Sequence, residues 1–242
     1  DTLGRNKSRI ILLNKSDLAD PKANKLWMDY FKKQGAFVIE VNSRSGSGLK
    51  AIHNVVQEAC KEKIERDRKR GIINRPVRAM VVGIPNVGKS TFINSFAGKA
   101  CTKTGNKPGV TKGKQWIRLN KSLELLDTPG ILWPKFEDQM VGLKLALIGS
   151  MNDEVVHVDE MSMDLIKILR ETYPGAMAER YGIDETPEPY KVLEAIAKSR
   201  NCLLKGEELD VAKAANLFID DFRSGKLGKI TLELPMAEEE VL

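Results

Sequence analysis

One segment of this sequence has the residues needed to hold a chain of phosphates. Residues 83–90 are Gly-Ile-Pro-Asn-Val-Gly-Lys-Ser, which fits the pattern Gly-x-x-x-x-Gly-Lys-Ser of a P-loop. In such a loop, backbone N–H groups surround phosphate oxygens, and glycines allow the close approach. We expect Lys89 to contact the β- and γ-phosphates and Ser90 to bind Mg²⁺. The residues predicted to hold the nucleotide here are Asn86, Val87, Gly88, Lys89, Ser90 and Thr91.

Two further segments predict the metal side of the same site. Residues 127–130 are Asp-Thr-Pro-Gly at the end of an apolar run. Asp127 can hold Mg²⁺ through water, and the Gly130 N–H can sense the γ-phosphate and order a switch loop. Residues 108–111 are Pro-Gly-Val-Thr, and Thr111 is the threonine expected to reach Mg²⁺ and the γ-phosphate. Thr102 and Thr104 are the alternatives. Lys89, Thr111 and Gly130 are therefore the predicted catalytic set.

A base-reading segment lies at residues 14–17, Asn-Lys-Ser-Asp, directly after an apolar run. The carboxylate of Asp17 can accept hydrogen bonds from the N1–H and 2-amino groups of guanine. Adenine lacks that donor pair, which argues against an ATPase. Lys15 can lie along the base, Asn14 can brace the loops, and Ser16 completes the segment. We expect Asn42 and Ser43, after the next strand, to form the loop that closes over the guanine.

The order of these motifs is unusual, because the base-reading segment precedes the P-loop. In ordinary GTPases the P-loop comes first, so the sequence predicts a circularly permuted GTPase. Apolar runs at 9–13, 36–41, 77–82, 115–119 and 123–126 predict strands, and amphipathic segments between them predict helices. Such alternation indicates an α/β protein with a parallel sheet. We therefore predict a P-loop GTPase domain with a permuted parallel sheet at residues 1–148.

Strand signals nearly vanish after residue 149. Segments near 161–173, 188–200 and 207–224 predict helices, and residues 230–234 predict a short strand or an extended tail. We therefore predict a small all-helical domain at residues 149–242.

Composition limits the remaining possibilities. The net charge is +6, which weakly favours polyanionic partners. The three cysteines are far apart in sequence, so no zinc site or disulfide framework is predicted. No apolar run is long enough to span a membrane. The run at 61–70, with six basic and three acidic residues, is interpreted as a solvated helix end, with RNA binding as the alternative. We expect Trp116 and Trp133 to pack in the core or against a switch segment, with stacking on RNA as the alternative.

Together these motifs resemble the circularly permuted GTPases of the YlqF/YawG group over about residues 9–235. The resemblance rests on residues 14–17, 83–91, 108–111 with Gln115 and Trp116, and 127–135. It implies a GTP- and GDP-binding enzyme, dependent on Mg²⁺, that acts late in assembly of the large ribosomal subunit and contacts rRNA. It also implies that the helical domain and the basic surface hold rRNA. We expect a cytoplasmic monomer without a membrane or DNA partner, and a mitochondrial relative also fits.

The resemblance also shows where the sequence departs from the family. The family begins with a strand and a helix that this chain lacks, so we expect a missing N-terminal segment that includes a histidine proposed to assist hydrolysis. Ile131 stands where Ras-like enzymes have a water-orienting Gln, so no catalytic base is assigned and slow turnover is expected. Asn86 is a tentative K⁺ ligand. The alternative function is a regulatory module that uses GTP to choose a protein or membrane partner.

Overall fold

The computed structural model describes residues 7–73, 75–102, 115–130, 132, 138–151 and 157–236. These residues form two compact units. The described residues up to Leu132, together with residues 233–236, form the first unit, and the described residues from 138 to 232 form the second. Within the described residues, no helix is long and apolar enough to cross a membrane.

The first unit alternates strands and helices, as the apolar runs predicted. Its elements are β1 (Ile10–Leu13), α1 (Pro21–Lys33), β2 (Phe37–Glu40), α2 (Leu49–Ala59), α3 (Lys61–Lys69), β3 (Val77–Val81), α4 (Lys89–Ala97), β4 (Gln115–Arg118) and β5 (Leu123–Asp127).

Parallel pairing brings the ends of the strands to the edges where the motifs begin. β1 pairs with β2 in parallel, and β3 pairs with β5 in parallel. β4 runs antiparallel to β5, joined by a tight turn in which the Ser122 N–H donates to Asn120 Oδ1 at 2.8 Å. Because strands in a parallel pair end at the same edge, residues that follow β1 and β2 are neighbours, as are those that follow β3 and β5. The candidate site lies at these carboxyl ends.

The core of the first unit lies beneath these strands. α2 buries Leu49, Ile52 and Val56, and α4 buries Phe92 and Ile93. They pack with buried strand residues in one hydrophobic cluster. Each such side chain contributes about 1.5–3 kcal/mol when fully buried, so the helix that follows the P-loop is firmly anchored. That anchoring holds the start of α4, and with it Lys89, in place.

The described part of the second unit is helical. It contains α5 (Gln139–Leu147), α6 (Val158–Thr172), α7 (Ala176–Tyr181), α8 (Pro189–Ser199) and α9 (Val211–Arg223). Its core is fully buried at Leu165, Ile166, Leu193, Ile196 and Phe218. The three helices predicted from sequence correspond to α6, α8 and α9.

The helix that follows the Asp-Thr-Pro-Gly segment belongs to the second unit. Arg223, at the end of α9, donates from Nε to the Leu147 oxygen at 2.9 Å and from Nη2 to the Ala146 oxygen at 2.8 Å. Arg223 thus pairs with two carbonyls at the end of α5, of which the Ala146 oxygen also accepts from the Gly149 N–H at 2.9 Å. The units therefore divide after Leu132, earlier than the predicted limit at residues 148 and 149.

The segment predicted as a short strand or an extended tail forms no described strand. The Trp27 indole of α1 donates from Nε1 to the Glu233 oxygen at 3.0 Å. Trp27 also stacks on Phe31, with ring centroids 5.4 Å apart. This contact places residue 233 against α1 in the first unit.

Candidate functional site

The phosphate loop, residues 83–90, has the backbone shape that its glycines predict. Gly88 has a φ of 92° and Asn86 a φ of 57°, both in the left-handed region. A Cβ at Gly88 would collide with the side-chain amide of Asn14. Glycine is therefore required at 88 on two grounds, backbone conformation and space. α4 begins at the next residue, so the N–H groups of its first turn adjoin the loop and make an anion-binding helix start.

Asn14 connects three loops of the site. Its Nδ2 donates to the Val87 oxygen at 2.8 Å. Its Oδ1 accepts from the Ser43 backbone N–H at 3.1 Å and from the Ser43 hydroxyl at 2.8 Å. One side-chain amide thus holds the base-reading loop (residues 14–17) to the phosphate loop and to the turn after β2. The predicted bracing role of Asn14 matches this geometry.

The base-reading loop is held by Ser16 and leaves its neighbours exposed. The Ser16 hydroxyl donates to the Val41 oxygen at 3.1 Å, and the Ser16 N–H donates to the same oxygen at 3.3 Å. Lys15 has a φ of 57°, and both Lys15 and Asp17 are exposed. The loop therefore presents a charged pair to solvent from a fixed backbone, as recognition of a nucleobase requires.

The turn after β2 contributes backbone structure through two side chains. Asn42 Oδ1 accepts from the N–H groups of Arg44 and Ser45, each at 3.0 Å, and so closes an Asx turn. Ser43 is 2% exposed and faces Asn14. The Ser95 hydroxyl of α4 donates to the Ser43 oxygen. Asn42 and Ser43 thus build and anchor the loop predicted to close over the guanine.

Asp127 is a buried carboxylate that interacts electrostatically with the half-buried ammonium of Lys89. It is 0% exposed, and neither of its oxygens has a hydrogen-bond partner of ordinary geometry among the described residues. Burial raises the pKa of Asp127, while the charge of Lys89 and the Thr128 backbone N–H oppose that rise. Burial likewise lowers the pKa of Lys89, and Asp127 opposes that change.

This arrangement fits a site for a divalent cation and phosphates. An unpaired buried carboxylate is costly unless a cation or donor meets it, and Mg²⁺ prefers oxygen ligands with retained waters. Among the described residues, Ser90 and Asp127 are the ones predicted to hold it. Lys89 Nζ donates to the Ile84 oxygen at 3.3 Å, a long hydrogen bond that phosphate oxygens can replace.

Gly130 packs directly against the phosphate loop. A Cβ there would lie 2.8 Å from both the backbone N and the Cα of Pro85, and 2.9 Å from Lys89 Nζ. The Thr128 hydroxyl donates to the Val81 oxygen at 2.8 Å and ties the segment to β3. The backbone of Gly130 is therefore close to where Lys89 would meet the γ-phosphate, in keeping with the predicted sensor role.

Thr111 lies outside the described residues, together with the competing Thr104 and with Trp133. The other competitor, Thr102, has its hydroxyl near the Ser90 oxygen at 3.3 Å and Asn94 Oδ1 at 3.2 Å. That hydroxyl is therefore engaged in structural hydrogen bonds.

Asn94 is a site-supporting residue that the sequence interpretation missed. Its Oδ1 accepts from the N–H groups of Cys101 and Thr102, each at 2.8 Å, and its Nδ2 donates to the Thr102 oxygen at 2.8 Å. It therefore anchors the chain just before the segment that contains Thr111. An Asn inside a helix is a weak signal of such a role, because its side chain usually favours other backbone partners.

His53 and Trp116 lie in different environments. The His53 ring lies 4.8 Å from the Phe96 ring, so His53 packs against α4. Trp116, in contrast, is 54% exposed and lies outside the core.

Three parts of the site meet in the first unit. They are the phosphate loop, a buried aspartate at the end of the adjacent strand, and an upstream base-reading loop. These features define the class of P-loop GTPases with a circularly permuted order.

Comparison with known proteins narrows that class. A family model described as "50S ribosome-binding GTPase" matches residues 78–184. Ribosome biogenesis GTPase A of Bacillus cereus is 44% identical, over 97% of this chain and 80% of that protein. A GDP-bound structure of YlqF has a TM-score of 0.64 and 31% identity, over 93% of this chain and 83% of that chain. A GNP-bound structure of YlqF from T. maritima has a TM-score of 0.63 and 32% identity, over 93% of this chain and 81% of that chain.

The chain belongs to the ribosome biogenesis GTPase A family. This confirms the predicted fold class and the resemblance on which it rested. The protein is a GTPase of ribosome biogenesis, and its nucleotides are GTP and GDP.

Proposed function

We propose that this GTPase is a switch in late assembly of the large ribosomal subunit, where it contacts rRNA and hydrolyses GTP to leave. The observation that carries the proposal is the double role of Asn14, which joins the base-reading loop to the phosphate loop. Guanine would bind to the base-reading loop and phosphates to the phosphate loop, and the Asn14 side chain would connect the two. The 50S ribosome-binding GTPase family model supports the choice of subunit.

Each residue of the site has a chemical role in this proposal. Asp17 accepts hydrogen bonds from guanine, while the phosphate loop and Lys89 hold the phosphates. Ser90, Thr111 and Asp127 would hold Mg²⁺, which would neutralise charge that develops on the phosphates. The Gly130 N–H reports whether a γ-phosphate is present.

Hydrolysis is slow in the isolated protein and is stimulated on the subunit. Ile131 follows Gly130 in the sequence, and an aliphatic side chain cannot orient a water molecule. Positioning and charge neutralisation by Lys89 and the metal still support turnover, because phosphoryl transfer depends mainly on these effects. Asn86 would hold a K⁺ ion, which would add positive charge near the phosphates. The protein works as a cytoplasmic monomer away from the subunit.

The test is the rate of GTP hydrolysis with increasing amounts of purified large subunits. We expect a saturable increase with large subunits and none with small subunits at equal concentration. Lys89→Ala provides the control for hydrolysis by contaminants, because it removes the phosphate-binding ammonium. Stimulation equal for both subunits, or absent for both, would contradict the proposal and favour a regulatory module with another partner.

A further inference from the structure

Positive charge is concentrated in the sequence of the first unit. Residues 1–132 and 233–242 contain 26 Lys and Arg against 15 Asp and Glu, whereas residues 133–232 contain 13 against 18. Nucleic acid is bound largely through Lys and Arg that neutralise phosphates. The helical part of the chain, which the resemblance assigned to rRNA, therefore has a net negative charge that opposes this role. The first unit has a net positive charge, which favours binding to nucleic acid.

One face of the sheet formed by β3, β5 and β4 carries part of this charge. The register places Arg78 opposite Glu124 and Glu124 opposite Arg118. These three side chains form a row on the face opposite the core, because Val77, Leu123 and Leu125 alternate with them and are buried. Both arginines of the row are exposed, and Lys121 in the adjoining turn is exposed as well.

A second row on the same face is apolar and ends in an aromatic ring. It consists of Met80, Leu126 and Trp116, which are neighbours across the three strands. Met80 is 62% exposed and Trp116 is 54% exposed. The Arg78 guanidinium carbon lies 5.3 Å from the centroid of the Trp116 ring, a cation–π distance. An exposed indole beside guanidinium groups is the usual platform for a stacked nucleobase.

The charges on this face decide its occupant. Glu124 is the one acidic residue in the two rows, and it is already engaged, because Arg78 Nε donates to its Oε2 at 3.0 Å. Arg118 and Lys121 are exposed nearby, so the face as a whole is cationic. An apolar protein partner would have to bury these cations, whereas a single-stranded RNA offers both phosphates and unpaired bases.

We propose that this sheet face, defined by Arg78, Met80, Trp116, Arg118 and Lys121, is an RNA contact surface. Trp116 stacks on an unpaired base, and Arg78 and Arg118 neutralise phosphates. The assignment rests on the proposed function, in which the RNA is rRNA. β3 continues into the phosphate loop and β5 ends at Asp127, so the strands that carry the surface also carry the nucleotide site.

The test uses the full chain and a fluorescently labelled single-stranded RNA of mixed sequence, with binding followed by anisotropy at several salt concentrations. Arg78→Gln with Arg118→Gln should weaken binding and lower the slope of log K against log salt by about 1.4, since each lost contact with single-stranded nucleic acid removes about 0.7. Trp116→Ala should weaken binding about fivefold or more without changing that slope, and Trp116→Phe should retain most of the affinity.

The matched control is Lys205→Gln with Lys213→Gln, which removes two exposed charges from the helical unit. It should leave affinity and slope near the wild-type values. The affinity of each variant for GDP serves as the check on folding, because none of these residues lies in the nucleotide site. A loss equal to that of the arginine pair in this control, or wild-type binding by the arginine pair, overturns the proposal.

The subunit assay separates this inference from the proposed function. Large subunits that stimulate hydrolysis by the wild type, combined with unchanged RNA binding by the sheet-face variants, reject only the surface. Large subunits that fail to stimulate the wild type reject the proposed function, whatever the sheet-face variants do with RNA.

Discussion

The side chain of Asn14 and the backbone of Val87 are joined by a hydrogen bond of 2.8 Å across 73 residues of sequence. The bond ties the segment that would read the base to the segment that would hold the phosphates. Its geometry does not depend on which segment comes first in the chain. Circular permutation can therefore preserve the pocket, because the pocket is defined by contacts between loops rather than by their order.

Replacing Asn14 should destabilise the first unit and also weaken nucleotide binding. Asn14→Ala leaves the Val87 oxygen and the Ser43 donors without their partner, and each buried unmet group costs about 1–3 kcal/mol. We expect GDP affinity to fall roughly 5- to 150-fold, measured with a fluorescent GDP analogue. Asn120→Ala, in the turn between β4 and β5, is the matched control and should leave affinity unchanged. Equal affinities for wild type and Asn14→Ala would contradict this account.

The nucleotide pocket was largely predictable from the sequence. A P-loop and a guanine-reading segment are constrained residue by residue, because the backbone shape and the ligand chemistry admit few side chains. Gly88 illustrates this, since its φ of 92° and its closeness to Asn14 both require glycine.

The residues that the sequence did not reveal act through contacts distant in the chain. Asn94 supports the residues before the Thr111 segment, and nothing near it in the sequence indicates that role. α5 belongs to the second unit because its end accepts hydrogen bonds from Arg223, which lies 76 residues beyond Leu147 in the sequence. The exposure of Trp116 depends on which side chains share its sheet face. Local patterns predict elements and motifs, whereas these relationships exist only after the strands and helices have packed.

Asp17→Asn should change the preferred nucleotide. The amide of Asn cannot accept from both the N1–H and the 2-amino group of guanine, but its NH₂ can donate to the 2-oxo group of xanthine. We expect GTP binding to weaken at least about 100-fold and xanthosine triphosphate to bind more tightly than GTP. Asp29→Asn, an exposed change on α1, should alter neither affinity. Unchanged GTP binding by Asp17→Asn would show that another residue reads the base.

Potassium should accelerate GTP hydrolysis if Asn86 helps to hold it. A K⁺ ion near the phosphates would stabilise the negative charge of the transition state, the task that an arginine finger performs in other GTPases. We expect hydrolysis to be faster in KCl than in NaCl at equal ionic strength, with GDP affinity similar in both salts. Equal rates in the two salts would remove the K⁺ assignment from Asn86.

Asp127 should destabilise the nucleotide-free protein at neutral pH. Because burial raises the pKa of Asp127, the folded state holds this proton at pH values where the unfolded chain has released it. Stability therefore falls as pH rises above the unfolded value of about 4 and stays low above the folded pKa. Asp127→Asn should melt at a higher temperature than wild type at pH 7, and the two should converge near about pH 4.

With GTP and Mg²⁺ present, the wild type should melt at a higher temperature than Asp127→Asn. Asp127→Asn removes a Mg²⁺ ligand, so GTP with Mg²⁺ should raise the melting temperature of the wild type much more than that of the variant. Leu126→Val, a neighbour in β5 without a ligand role, should respond to GTP and Mg²⁺ as the wild type does. A variant less stable than the wild type without ligand would contradict the sign given to the Asp127 pKa.

Asp221, in the helical unit, should show the opposite pH dependence. It is 3% exposed and accepts from Arg180 at 2.8 and 2.9 Å and from Lys226 at 2.8 Å. Burial alone would raise the pKa of Asp221, but hydrogen bonds from Lys226 and Arg180 hold it below the ordinary value. The stability it contributes is present above the unfolded pKa of about 4 and is lost as pH falls through the folded value.

Asp221→Asn should cost about 1–3 kcal/mol at pH 7, and the cost should vanish in acid. Chemical unfolding at pH 7 and pH 3 measures both values, with the exposed Asp220→Asn as the control. An Asp221→Asn cost that is as large at pH 3 as at pH 7 would show that packing, rather than the ionised carboxylate, stabilises this end of α9.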